Sequence, residues 1–394
     1  MKTMIIFSTI LAKMDNISKP FSKFLYALLV ALLSGKGRNN FLNLSRWADI
    51  SAKTFSRNFR KTFDFSKFNG LLVDFFHPSE DFIIAIDCSY IAKSGKKSYG
   101  LGKYWSGCLQ KAVKGLEISM IALVGIDNKI CFSVSTEQTP ANLENENRID
   151  FYLRQLSENS VYLLKKSKYI VADGFYAKER FLEKTAQLGF FVITKLRTDA
   201  DMQYIYAGEQ KNRGRKRSNG GKVNWKDIEN TFVFEGTTAQ GDKMYSQVVW
   251  SAKWKIKIKI VYLLREINGK TDYFLLGSTD IDLSADKILK YYQLRFQIEF
   301  LFRDAKQHLG LEDCQSTKKE CLHFHFNAAM MTLNLAREVS YSKGNKIFSL
   351  YNIKTQAFNE KWLENIITNL DLDLNAIKLH PNYDKIIKKG KIAA

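Results

Sequence analysis

Proline is scarce: the 394-residue chain holds four. That leaves no room for proline-rich spacers or polyproline recognition segments. Cysteine is also sparse, with Cys88, Cys108, Cys131, Cys314 and Cys321. The count is odd and no C-x-x-C occurs, which excludes a secreted disulfide scaffold. Cys314, Cys321, His323, His325 and the upstream His308 lack a second tight pair, so ordinary core and capped side chains are preferred to zinc. The longest apolar run, Phe24 to Leu33, is ten residues, whereas a bilayer needs about 20. It reads as a buried helix. The opening MKTMIIFSTILAK has no small-x-small cleavage site and is ended by Lys13 and Asp15, so a cytoplasmic protein with no membrane partner is expected. Gly95-Lys96-Lys97-Ser98 lacks the earlier glycine of a phosphate-binding loop, and nothing points to ATP. Acid is in short supply as well: 40 Asp+Glu face 60 Lys+Arg, a net charge of +20. The expected partner is a polyanion, nucleic acid first.

What is present is core material. Hydrophobic residues make up 45% and aromatics 13%, too much for a disordered chain. Residues 1–78 read as helical and basic, with twelve Lys/Arg against four Asp through residue 75. The apolar helix ends at Gly35 and Gly37. Downstream, Ser51 is placed to cap a helix starting Ala52-Lys53-Thr54, and Trp47, Ala48, Ile50, Phe55 and Phe59 would pack two short helices together. This helix-turn-helix layout leaves Lys53, Arg57 and Arg60 free to meet DNA.

Residues 79–197 change texture. FIIAI (82–86) is a short buried-strand pattern ending at Asp87, and YIVA (169–172) is another, ending at Asp173-Gly174. ISMIALVGI and ICFSV flank Asp127-Asn128 as a hairpin, RIDFYLRQL and AKERFLEKTAQL read as helices, and FFVIT as a strand. The order predicts an α/β mixed sheet with flanking helices, with acids at the carboxyl ends of two strands. Residues 198–276 are β-rich. KNRGRKRSNGGKVNWK (211–226) holds seven Lys/Arg and no acid; it reads as a basic loop in which Arg213, Arg215, Lys216 and Arg217 would contact DNA. KWKIKIKI alternates, so a strand there would put Lys253, Lys255, Lys257 and Lys259 on one face. DNA lying across them is one reading; an edge strand guarded by lysine is the other.

The stretch Ser284–Leu311 is expected as one helix, capped by Ser284 and stopped at Gly310. At about 100° per residue, Tyr292, Arg295, Glu299, Arg303 and Lys306 fall within an arc of roughly 80°. Leu294, Ile298, Leu301 and Ala305 face away. One carboxylate among three cations and a tyrosine suits a place where a metal meets phosphates.

Tyr292-x2-Arg295-x3-Glu299-x6-Lys306 resembles the Y-R-E-K signature of the insertion sequence 4 family of DDE transposases. Asp87 in IAIDCSYIAKSGKKSYG and Asp173 in YIVADGFYAKERF resemble that family's first and second aspartate segments. The resemblance spans residues 80–335. It implies a ribonuclease-H-like mixed sheet with flanking helices, interrupted by a β-rich insertion domain, plus an N-terminal helical DNA-binding domain. The expected boundaries are an N-terminal domain at 1–78, core segments at 79–197 and 277–340 around an insertion at 198–276, and a C-terminal helical segment at 341–394. It implies catalytic and metal-ligand roles for Asp87, Asp173 and Glu299 with two Mg²⁺ ions, Mn²⁺ being the substitute. It also implies contacts from Tyr292, Arg295 and Lys306 to the element-end backbone; Arg303 joins them on the same stripe. An aromatic in the insertion receives a flipped base in some relatives, and Trp250 and Trp254 are the choices here.

The expected function is therefore a transposase of a bacterial insertion sequence. It would bind double-stranded DNA at terminal inverted repeats and at target sites, hydrolyse and transfer strands, pass through a hairpin as relatives do, and work as a homodimer on paired ends. The rivals are a ribonuclease-H-like DNA nuclease or junction resolvase, and a catalytically dead DNA-binding repressor. The basic KIIKKGKIAA end reads either as part of a protomer bridge or as a tail.

Overall fold

In a computed structural model, the described residues are 2–143, 146–210, 212–214, 216–217, 219–267, 270–344 and 347–392. Five helices come first: α1 (Lys2–Leu11), α2 (Lys19–Ser34), α3 (Phe41–Trp47), α4 (Ala52–Asn58) and α5 (Phe65–Phe76). Local signals explain their ends. The Ser18 hydroxyl accepts from the Phe21 N–H at 3.4 Å and starts α2. The Ser51 hydroxyl accepts from the Thr54 N–H at 3.2 Å and starts α4, as its sequence predicts. Gly35 ends α2 at φ −70°, outside the left-handed region. Glycine is needed there for space, because a Cβ would lie 2.4 Å from the Ala31 carbonyl and 3.3 Å from the Trp47 ring. Lys53, Arg57 and Arg60 are exposed.

The α/β region follows: β1 (Phe82–Ala92), β2 (Gly102–Ser106), β3 (Lys111–Gly125), β4 (Cys131–Thr139), α6 (Arg148–Leu164), β5 (Tyr169–Ala172), a 3₁₀ turn (Gly174–Tyr176), α7 (Glu179–Gln187) and β6 (Phe191–Leu196). The expected hairpin is β3–β4. β1 is longer than its apolar run suggested: it passes through Asp87 to Ala92 because β3 pairs with it along the whole length. β3 and β4 lie antiparallel on one side of β1, while β5 and β6 lie parallel on the other.

Next come β7 (Met202–Ile205), β8 (Asn219–Lys222), α8 (Ile228–Thr231), β9 (Val233–Thr237), β10 (Lys243–Ser251), β11 (Ile256–Ile267) and β12 (Lys270–Ser278). They do not form a separate sheet. β12 pairs antiparallel with β6, so among the described residues twelve strands make one sheet, ordered β2-β3-β1-β5-β6-β12-β11-β10-β7-β8, with β4 on β3 and β9 on β10. The four-lysine stripe does not survive. Residues 252–255 form the turn between β10 and β11, with Lys255 at φ 55°. Only Lys257 and Lys259 share the strand, and β11 lies between β10 and β12 rather than at an edge. Lys253 and Lys255 are exposed in the turn, and Lys255 pairs with Glu179 at 3.8 Å. Arg213, Lys216 and Arg217 are exposed in the β7–β8 connection. Arg215 lies outside the described residues.

The chain ends in α9 (Ala285–Leu294), α10 (Phe296–His308), α11 (Lys319–Tyr341), α12 (Leu350–Asn369), α13 (Leu374–Leu379) and α14 (Tyr383–Ile387). The basic end is thus partly helical, and Ile387 is buried. No described helix is long and apolar enough to cross a membrane.

α11 is buried along almost its whole length. Its Asn334 donates to the Ser133 carbonyl at 2.8 Å and accepts from the Ser133 N–H at 3.0 Å, tying it to β4. On another side Phe324 meets Phe21 and Phe24 of α2, Phe59 after α4 and Phe65 of α5, with ring centroids 4.7–6.4 Å apart. At the end of α5, His77 pairs with the buried Glu338 of α11 at 2.7 Å. The N-terminal helices therefore share one continuous apolar core with the sheet. Phe324→Ala is expected to lower unfolding free energy by about 3–5 kcal/mol, since a cavity opens where four rings converge. Denaturant unfolding followed by circular dichroism measures this; a loss under about 1 kcal/mol contradicts the shared core.

Candidate active site

Register builds the site. Ile84, Ala85 and Ile86 of β1 pair in parallel with Ile170, Val171 and Ala172 of β5. The next residue on each chain is an aspartate, so Asp87 and Asp173 stand side by side where the parallel pairing ends. β-branched and small apolar side chains fill the strands leading up to them, all buried. One Asp87 oxygen accepts the Cys88 N–H at 2.8 Å. Asp173 caps the 3₁₀ turn by accepting the Phe175 N–H at 3.0 Å, and its carbonyl takes the Thr194 hydroxyl at 2.8 Å.

The third acid arrives from a helix that is not the single helix expected. A turn residue, Arg295, divides α9 from α10. Bonds from Arg295 N to the Tyr292 carbonyl and from Ile298 N to the Arg295 carbonyl, both 3.1 Å, span three residues rather than four. Ser284 makes no side-chain cap. The apolar side is as predicted: Leu294, Ile298, Leu301 and Ala305 are buried. The charged stripe is more varied than a solvated face. Tyr292 and Arg295 are buried, Glu299 and Lys306 are half-buried, and Arg303 is exposed.

Arg295 joins the acids. Its Nη1 donates to Asp87 Oδ2 at 3.1 Å and its Nη2 to Glu299 Oε1 at 2.6 Å. Burial pushes the Asp87 carboxyl up to about 7, against the pull of Arg295 and with the push of Asp173 and Glu299. Burial also raises Asp173, opposed by the Phe175 N–H and Arg295 and reinforced by Glu299. Asp87, Asp173 and Glu299 thus feel one another's charge. Among the described residues, no group of three or more His, Cys, Asp or Glu stands ready to hold a metal. The donor chemistry nonetheless fits a hard divalent ion: the carboxylates of Asp87, Asp173 and Glu299 are hard oxygen donors, and burial raises the pKa of the first two. Arg295 occupies one oxygen of Asp87 and one of Glu299.

Lys306 turns to the strand rather than outward. Its Nζ donates to the Tyr90 carbonyl at 2.5 Å and lies 3.7 Å from Glu312. Arg303 bonds its neighbour Asp304, which is held by the buried Arg337 at 3.0 Å. Trp254 is buried and Trp250 half-buried. A polar group that sequence reading did not single out lies on the opposite face of β1. There the Tyr152 hydroxyl donates to Glu117 Oε1 at 2.6 Å and Arg148 lies 3.5 Å from Oε2. It ties α6 to β3 behind the aspartates. Its signal was available: Glu117 is a lone charge in the apolar run of β3.

Residues 90–335 match the family described as transposase DDE domain. The chain belongs to the DDE transposase domain family. The match begins just after Asp87 and contains Asp173 and Glu299. Such transposases generally use divalent metal ions. No curated protein matches the chain in sequence. Among solved structures, this DDE-family chain is similar to the piggyBac transposase in a synaptic complex with hairpin DNA, at 13% identity and TM-score 0.43, over 100% of this chain and 76% of that one. It is also similar to the NurA nuclease from Sulfolobus solfataricus, at 12% identity and TM-score 0.25, over 55% of this chain and 73% of that one.

The raised Asp87 pKa has a thermal consequence. Its folded form prefers the proton, so its stabilising contribution is full below the unfolded pKa near 4 and is lost as pH rises through about 7. In EDTA, Asp87→Asn is expected to remove part of the fall in melting temperature between pH 5 and 8. An unchanged pH slope contradicts the perturbed carboxyl.

Proposed function

We propose that the chain is a metal-dependent DNA transposase of the insertion sequence 4 type, acting on the ends of a bacterial element. The observation that carries this reading is the convergence of Asp87, Asp173 and Glu299 at one end of the parallel pairing, with Arg295 of the Y-R-E-K spacing set between two of them. The strand arrangement, with antiparallel β3 and β4 on one side of β1 and parallel β5 and β6 on the other, supports a ribonuclease-H-like core. On this reading β7–β12 are the insertion and α1–α5 the DNA-binding region, with Lys53, Arg57 and Arg60 directed to DNA.

Phosphodiester transfer needs a nucleophile in line and neutralised charge more than covalent help. Asp87, Asp173 and Glu299 would hold two Mg²⁺, which would lower the pKa of a water or of the DNA 3′-hydroxyl and neutralise charge on the leaving oxygen. The chain's own cations do the rest. Arg295, with five N–H donors in a fork, grips a phosphate in two places. Lys306 neutralises the strand beside β1. Arg303, Arg213, Arg215, Lys216, Arg217, Lys253, Lys255, Lys257 and Lys259 extend the basic footprint along the duplex. The product of the first cut carries a 3′-hydroxyl, which attacks a second phosphodiester, either on the opposite strand to close a hairpin or directly on target, displacing a 3′ oxygen in each case. Two protomers serve two ends.

Cleavage and joining assays on element-end duplexes test this. Asp87→Ala, Asp173→Ala and Glu299→Ala should each reduce cleavage by roughly a hundredfold or more while DNA binding persists. Cleavage without joining of pre-cut ends favours a nuclease or resolvase. Binding without cleavage by the unmutated protein favours a repressor. Full cleavage by Asp87→Ala overturns the assignment.

A further inference from the structure

Arg295 is in an unusual position for a side chain meant to grip a ligand. It is 8% exposed and already engaged at both Nη atoms, by Asp87 Oδ2 and Glu299 Oε1. The Tyr292 and Phe296 rings flank its guanidinium, 5.8 and 5.1 Å from the centroids. Its Nε is buried with no hydrogen-bond partner. The pairing thus leaves one of the arginine's buried donors unsatisfied.

A divalent ion of the magnesium class binds carboxylate oxygen at about 2.0–2.1 Å. It would repel a guanidinium bonded to the same oxygen. Both cations cannot serve Asp87 Oδ2 and Glu299 Oε1 together. On one side the way out is open: Glu299 is half-buried and Phe296 is exposed. The side chain starts from the α9–α10 break, where three-residue bonds replace the four-residue ladder.

Resting on the transposase reading above, we propose that Arg295 is a built-in counter-cation that competes with the divalent ion for Asp87 and Glu299. Metal entry and the outward swing of the guanidinium are then one event. The freed guanidinium meets a DNA phosphate, which engages Nε as well as Nη in the bidentate manner arginine favours. Metal and DNA therefore promote each other's binding, and by linkage each does so by the same factor. Metal without DNA binds weakly because it must expel a cation that has nowhere better to go.

Mn²⁺ titration of the full-length chain by calorimetry at pH 8.5 reads this directly. Arg295→Gln is expected to bind Mn²⁺ on the order of tenfold more tightly than the unmutated protein. In EDTA it should melt at lower temperature, with Mn²⁺ restoring the difference. Arg295→Lys, which keeps a cation, should stay near the unmutated affinity. In the unmutated protein, Mg²⁺ should shift the ¹⁵N side-chain resonances of Arg295 toward those of a solvated arginine, a readout that needs no variant. Equal or weaker Mn²⁺ binding by Arg295→Gln, or Arg295 resonances indifferent to saturating Mg²⁺, overturns the competition. Glu299→Gln separates this failure from failure of the metal site itself. If Glu299→Gln abolishes Mn²⁺ binding while Arg295→Gln does not tighten it, the competition alone is wrong. If Glu299→Gln leaves Mn²⁺ binding intact, the metal assignment falls with it.

Discussion

Carboxylates that share a buried corner cannot all stay ionised unless a cation joins them. That constraint organises this molecule. The parallel register of β1 and β5 brings Asp87 and Asp173 together, and the start of α10 brings Glu299 into the same field. Arg295 answers the charge from within the chain. On the proposal above, a divalent ion would compete with Arg295 for these carboxylates.

The rest of the fold serves to hold that corner still. α11 threads the core and is bolted to β4 through Asn334 and to the N-terminal helices through Phe324. The link between α2 and α3 reaches the far end of α10: the Asn39 N–H donates to Asp313 at 2.8 Å and its side chain to the Leu309 carbonyl at 2.8 Å. Behind the aspartates, the Glu117–Tyr152 bond fastens α6 to the sheet. Basic N-terminal surface and acidic corner therefore belong to one packed body.

Much of this was legible in the residues. Short β-branched runs such as YIVA mark strands because nothing else suits four buried apolar residues before Asp-Gly. Ser51 marks a cap because its hydroxyl has a nearby N–H to accept. The acids could be listed from their strand-end positions and helix spacing. Other features were hidden for physical reasons. Arginine is a good helix former, so nothing at Arg295 warned of a break between α9 and α10. Its role as partner to Asp87 depends on a contact between residues far apart in sequence. The alternation of KWKIKIKI promised a strand, yet Lys255 adopts φ 55° in a turn, a local geometry that alternation cannot report. That β6 would pair with β12, merging two supposed regions into one sheet, is likewise a non-local event.

Which atoms receive the metal decides whether this acidic corner is the catalytic centre. Anomalous diffraction from crystals of the full chain grown with Mn²⁺ and a duplex oligonucleotide addresses it most directly. Peaks bounded by Asp87, Asp173 and Glu299, with the Arg295 side chain turned away toward phosphate, are the predicted result. Manganese bound elsewhere, with Arg295 still bridging Asp87 and Glu299, would contradict it.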